Sequence, residues 1–158
     1  MEGPARREDH LVQHWIKVTG TGETPFDTDD WRPRRDAWRR EQGPISAFPR
    51  RPRIERGDRL VNYAAGSARE FGSARIYLVE EVVSEEPEPT GAHPRWPWVV
   101  RVEELMSVPL LSYAPAIEDI GVMPRSLSQQ SHIRITAEQG ELAHRLIAEA
   151  AREHALSG

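Results

Sequence analysis

Residues 54–83, IERGDRLVNYAAGSAREFGSARIYLVEEVV, decide the fold. They read as two strands joined by a short loop. Residues 59–64 carry Leu60, Val61 and Tyr63, and residues 76–83 are dense in β-branched and aromatic side chains, the types that fit a pleated, half-buried surface. Gly57-Asp58 before the first strand is a turn signal, because Gly accepts positive φ and Asp bonds its own backbone. The small, polar stretch 66–72 suits a connection between antiparallel neighbours. Ile76-Tyr77-Leu78-Val79 is almost wholly apolar and belongs inside a sheet that curls.

Outward from this hairpin, residues 11–18, LVQHWIKV, read as a first strand ended by the turn Thr19-Gly20-Thr21-Gly22. Asp29 or Asp30 is a candidate cap for a short helix through Trp38, with Pro33 in its first turn. Residues 45–48 form a brief strand before the basic segment 49–52. Residues 85–97 are a loop rich in proline and acid, and 98–105 another strand. Pro109 and Pro115 make 108–121 irregular, with one helical turn over 116–120. Residues 121–131 read as loop and 132–135 as a last short strand. Thr136 stands three residues before Gln139, a capping box in which each side chain satisfies the other's backbone donor. The helix then runs to about His154, with Leu142, Ala143, Leu146, Ile147, Ala150 and Ala151 on one stripe. This order is α+β, with a small curled sheet or open barrel of about five to six strands and a C-terminal helix.

With 158 residues the chain reads as a single domain able to bury about two-thirds of its unfolded surface. Residues 1–10 read as a frayed, charged tail rather than a signal peptide. No run approaches the ~20 apolar residues of a membrane span. Cysteine is absent, which excludes a disulfide, a Cys-ligated zinc and a thiol nucleophile and fits a cytoplasmic protein. His10 and His14 have the four-residue spacing of two zinc ligands on a helix, but the stretch reads as strand and no Glu follows His10, so no metal is expected. Ser131 and His132 are neighbours on a strand and point to opposite faces. No nucleotide-loop or nucleophile-elbow motif appears, and no cofactor is implied. Glu80, Glu81, Glu85 and Glu86 lack the partners of a nuclease cluster and read as solvated charge.

Charge is unevenly placed. Residues 32–59 hold ten arginines against four acids, whereas residues 80–104 hold seven acids against two arginines. A basic region is an electrostatic footprint for nucleic acid even on a chain of net charge −4. The plainer reading is a solvated face. Lys17 is the sole lysine among 21 basic residues.

The strand HWIKV, the segment IERGDRLVNYAAG, the strand FGSARIYLVEEV and the ending SLSQQSHIRITAEQGELAHRLI together resemble the EVE domains of the PUA-like superfamily, from about His14 to Ala148. The resemblance implies a PUA-like open β-barrel with flanking helices. In related YTH domains an aromatic pocket binds a methylated adenine in RNA, and EVE domains are thought to read modified bases, chiefly in DNA. The pocket positions carried over are Lys17 and Thr19, Ser46 and Phe48, Tyr63, Trp96 or Trp98, and Gln130 with Ser131. Where many relatives place a Trp before the "GD" strand, this chain has Ile45-Ser46-Ala47-Phe48. One wall of the cage is therefore missing, or supplied by Trp31 or Trp38.

A base reader needs flat walls for stacking, a few donors and acceptors for the base edge, and positive charge outside for phosphates. Trp15, Tyr63, Trp96 and Trp98 are candidate walls. Thr19, Ser46, Asn62 and Ser131 are candidate edge readers, and Arg50, Arg51 and Arg53 candidate phosphate contacts. The plainer reading of each aromatic is core packing, most of all for Trp15. Asn62, between apolar neighbours, either faces solvent or has a buried partner. The function expected is a non-enzymatic module that reads a methylated or hydroxymethylated cytosine, or a methylated adenine, in DNA or RNA. Two alternatives stand beside it. One is an enzyme with cleft carboxylates and His132. The other is an adaptor whose pocket is plugged by Phe48 or Trp38 and whose segment 108–121 docks a partner.

Overall fold

The computed structural model describes residues 12–20, 28–90 and 94–157. The expected tail at 1–10, His10 and the Thr21-Gly22 end of the first turn lie outside them. The fold is α+β. Strands β1 (His14–Thr19), β2 (Ile45–Phe48), β3 (Arg59–Ala64), β4 (Arg75–Val82), β6 (Trp98–Ser107) and β7 (His132–Ile135) form one mixed sheet in the order β2-β6-β4-β3-β1-β7. The short β5 (Glu88–Pro89) pairs beside β6. The β3–β4 hairpin lies at the centre of the sheet, as its apolar run requires. β1 pairs parallel with β3, and the other neighbours are antiparallel.

Two irregularities bend this sheet into a half-barrel. The register passes from Asn62↔Leu78 to Tyr63↔Ile76, leaving Tyr77 as an extra residue in β4. It passes from Val79↔Met106 to Glu80↔Glu104, leaving Leu105 extra in β6. Such bulges bend the strand and increase its twist. Tyr77 is thereby turned to the same side as Leu78, into a cluster with Trp31, Val108 and Leu111. The curl brings the edge strands β2 and β7 face to face without a ladder between them. The His132 ring of β7 sits 5.4 Å from Trp15 and 5.0 Å from Phe48.

The outer face of the sheet, with Ile16, Val61, Ile76 and Val79, packs on Ala143 and Ile147 of the C-terminal helix, which is α3 (Ala137–Ser157) after α1 (Arg32–Gln42) and α2 (Ser67–Phe71). α3 begins as the capping box demands: Gln139 N–H donates to Thr136 Oγ1 at 3.0 Å, and Thr136 N–H donates to Gln139 Oε1 at 2.9 Å. Gly140 lets this helix lie on β1, since a Cβ there would meet the His14 ring at 2.1 Å. The concave face carries Trp15, Phe48, Leu60, Val82, Val100 and Val102.

α1 is longer than expected and starts differently. Trp31 occupies its cap position with no side-chain cap, and Pro33 falls in the first turn, where its missing N–H is harmless. Asp29 instead accepts from the Ser112 N–H at 2.7 Å and the Ser112 hydroxyl at 3.1 Å. The connection 66–72 contains α2 rather than plain loop, because both flanking glycines, Gly66 and Gly72, adopt positive φ and terminate a single turn of helix. The expected turn at 116–120 is a 3₁₀ turn, Ile117–Ile120, one of three between β6 and β7 with Leu111–Tyr113 and Pro124–Leu127.

The Gly57-Asp58 turn ties strands together. Gly57 has φ +92°, a conformation that favours glycine. Asp58 is buried, and its carboxylate accepts from the Gln13 N–H at 3.1 Å, the Glu55 N–H at 3.0 Å and Trp15 Nε1–H at 3.0 Å. Asp58→Ala leaves three donors without their acceptor and is expected to lower unfolding stability by about 3 kcal/mol, since hydrogen bonds to a charged group are worth about 1.5–3 kcal/mol each and are not additive. Urea denaturation measures this, and a loss under about 1 kcal/mol would sink the explanation.

Candidate functional site

One end of the half-barrel is where β1 and β3 finish, β2 finishes, and β6 and β7 begin. A cavity of about 450 Å³ opens there, within the range of about 300–1,000 Å³ usual for small-molecule sites. Val18 and Gly20 line it from the end of β1, and Tyr63 and Ala65 from the end of β3. Pro49 follows β2, and Trp96 precedes β6. The rim is the segment from Pro124 to Ser131, which contributes Leu127, Ser128, Gln129 and Gln130. Gln129 holds φ +62°, a left-handed conformation that costs a non-glycine residue roughly 1 kcal/mol. The residues named as lining are apolar or carry neutral hydroxyl and amide groups.

Four expected pocket residues thus line the cavity: Tyr63, Trp96, Gln130 and Ser131. Ser131 does not point away from His132 as expected: it precedes β7 rather than lying on it, and its Oγ lies 2.7 Å from His132 Nδ1. Lys17 and Thr19 stand just behind the cavity. The Lys17 ammonium donates to the Val18 carbonyl at 3.0 Å and lies 4.9 Å from the Phe48 ring centroid and 5.6 Å from that of Trp96. It is 5% exposed, and burial pulls its pKa down to about 8, with Glu80 opposing the shift. Thr19 Oγ1 donates to the Tyr63 carbonyl at 2.8 Å and lies 3.0 Å from the Tyr77 hydroxyl. Burial, and secondarily the Glu118 charge, raises the Tyr63 phenol, which stays protonated at neutral pH.

The other expected pocket residues do not line the cavity. Trp15 and Phe48 are core, and Ser46 is buried on β2. Trp98 packs against the Phe48 cluster beneath Arg51, whose guanidinium is 5.3 Å from its ring. Asn62 is buried and donates to Glu80 Oε1 at 3.2 Å. Of the proposed substitute walls, Trp31 is buried and donates to the Val108 carbonyl at 2.7 Å, and Trp38 is 42% exposed on α1. Neither lines the cavity, and neither Phe48 nor Trp38 plugs it.

The reading of Glu80 as solvated charge is overturned. Glu80 is 0% exposed, paired with Arg35 and, at 2.8 Å, with Arg39. Leu60 and Leu78 share its face, and the return of α1 over that face brings the arginines that make burial tolerable. The arginine-rich stretch is therefore divided. Arg35 and Arg39 serve the interior, and Arg32 pairs with Glu104 at 3.2 Å. Arg50, Arg51 and Arg53 are exposed, following Pro49 at the cavity wall. Among the described residues, no group of acidic and histidine side chains is placed to hold a metal, and no helix is long and apolar enough to cross a membrane.

Burial lowers the pKa of His132, with the Lys17 charge adding to the effect, and burial likewise lowers His14 and His144. Each is then neutral in the fold, and the unfolded chain binds more protons below pH ~6.5. Stability is present above that value and is lost on acidification. His132→Phe, which keeps the ring against Trp15 and Phe48, is expected to flatten part of the loss between pH 6.5 and 5 in urea titrations. An unchanged pH slope would contradict this.

No protein-family model and no curated protein matches the chain. Among the solved structures similar to it are the following two. A hypothetical protein from Leishmania major has a TM-score of 0.53 at 11% identity, covering 89% of this chain and 97% of that one. The NMR structure of Rpa0253 from Rhodopseudomonas palustris has a TM-score of 0.47 at 16% identity, covering 85% and 92%. The first likeness is one of fold alone. Fold and site together define an α+β half-barrel with a neutral cavity at one end.

Proposed function

We propose that this chain is a non-enzymatic module that takes one modified base of a nucleic acid, a methylated or hydroxymethylated cytosine or a methylated adenine, into the cavity at the end of its PUA-like half-barrel. The observation that carries the reading is the composition of that cavity. Trp96 and Tyr63 offer aromatic surface, and Ser128, Gln129, Gln130 and Ser131 offer donors and acceptors. This is the pairing of stacking and edge reading that a flipped base requires. Arg50, Arg51 and Arg53 stand exposed beyond Pro49, where they meet phosphates of the flanking strand. The volume accommodates a single base with its sugar rather than a folded partner.

The test is a titration by fluorescence anisotropy of oligonucleotides identical except at one position, carrying cytosine, 5-methylcytosine, 5-hydroxymethylcytosine, adenine or N6-methyladenine, each as DNA and RNA. At least one modified form is expected to bind tenfold or more tighter than its unmodified parent. Equal, feeble binding to all of them would end the proposal.

A further inference from the structure

Behind the cavity wall the interior carries a surplus of positive charge. Lys17, Arg35 and Arg39 face the buried carboxylate of Glu80. A second buried carboxylate, Asp58, is held by the Gln13, Glu55 and Trp15 donors. Glu80 is engaged by both arginines, whereas the hydrogen bond found for Lys17 is to the uncharged Val18 carbonyl. Lys17 is also the member of this group closest to the site. Its ammonium lies against the ring of Trp96 and on the carbonyl of Val18, and both residues line the cavity. The field of a buried charge is weakly screened. The exposed Glu118, whose charge reaches Tyr63, opposes that field from the solvent side, where screening is stronger.

We infer that Lys17 makes the cavity selective for uncharged modified bases and excludes the cationic ones produced by methylation at a ring nitrogen. The inference rests on the reading of the cavity as a base site. Methyl-cation readers surround the charge with aromatic faces and carboxylates. Here the Trp96 ring is already shared with an ammonium, so its attraction for a second cation is offset by repulsion between like charges. At neutral pH, below its value of about 8, Lys17 is mostly protonated, and the exclusion operates.

Isomeric bases isolate the effect of charge. 5-Methylcytosine and 3-methylcytosine differ only in where the methyl sits, and the second is a cation at pH 7. N6-methyladenine and 1-methyladenine form a second such pair. Placed in the same single-stranded oligonucleotide, the neutral isomer of whichever pair binds is expected to bind at least tenfold tighter, a gap of about 1.4 kcal/mol. Lys17→Met, which keeps length and apolar bulk, is expected to narrow that ratio at least threefold. 3-Methyluracil, which has the ring methyl without the charge, separates sterics from electrostatics in the unmutated protein should the variant fail to fold. It is expected to bind better than 3-methylcytosine. Cationic isomers binding as well as neutral ones would overturn the exclusion while leaving the base site standing. Equal rejection of 3-methyluracil and 3-methylcytosine, or an unchanged ratio in a folded Lys17→Met, would overturn the role of Lys17. Binding of no modified base above its parent would remove the base site and this inference with it.

Discussion

Glu80→Ala is expected to destabilise the protein by about 3–5 kcal/mol, the range found when one partner of a buried ion pair is removed. The cause is not the loss of favourable contacts alone. Arg35 and Arg39 would remain against the sheet, 10% and 19% exposed at their side chains, with no carboxylate to offset their desolvation. Asn62 would lose its acceptor as well. α1 has no buried residue of its own, so its attachment relies on Trp31 at its start and on these charged contacts. Glu80→Ala should therefore also loosen α1, seen as faster amide exchange over residues 32–42. The complementary variant, Glu80→Leu with Arg35→Met and Arg39→Met, should recover most of the loss, because apolar groups of similar volume often replace a buried ion network without cost. Chemical denaturation of both variants decides the matter. A loss under about 1 kcal/mol for Glu80→Ala would show that water reaches the network.

Trp96→Ala is expected to weaken binding of the preferred modified oligonucleotide by about 1–3 kcal/mol, the worth of one base–aromatic stack, or roughly 5- to 150-fold. Stability should change far less, because Trp96 is half-buried and borders open space, unlike the fully buried Trp31 and Phe48. Trp98→Ala is the informative contrast. It packs under Arg51 and against the Phe48 cluster and should cost stability more than affinity. Anisotropy titrations and thermal melts of the two variants separate these roles. If Trp96→Ala bound as tightly as the unaltered protein, the cavity would not be the site of recognition.

Much of the architecture was legible because its signals are local. The capping box at Thr136 and Gln139, the apolar stripe of α3 and the Gly-Asp turn before β3 are each determined within a few residues, and each forms as read. The β3–β4 hairpin announced itself by its unbroken apolar run, and that run sits at the middle of the sheet. Asn62 was known to need a partner if buried, whereas Glu80 was read as solvated charge and is buried. Tyr63, Trp96, Gln130 and Ser131 were named from their resemblance to a pocket, and they meet at one cavity.

What the chain order could not reveal is where distant segments meet. Ser46, Phe48, Asn62 and Trp98 have the same residue types as a recognition site, and whether such a side chain faces a ligand or a neighbour depends on the curl of the sheet. That curl comes from two bulges, at Tyr77 and Leu105, which have no sequence signature of their own. The pairing of Glu80 with arginines 41 and 45 positions upstream, and of Lys17 with two aromatic rings, likewise exists only once α1 and β2 fold back over the half-barrel. The sequence by itself determined the longer strands, the C-terminal helix, their order and the central hairpin, since hydrogen bonding and hydrophobic period act over short spans. The tertiary structure alone decided which charges are buried and which rings border open space, because burial is a property of the packed whole.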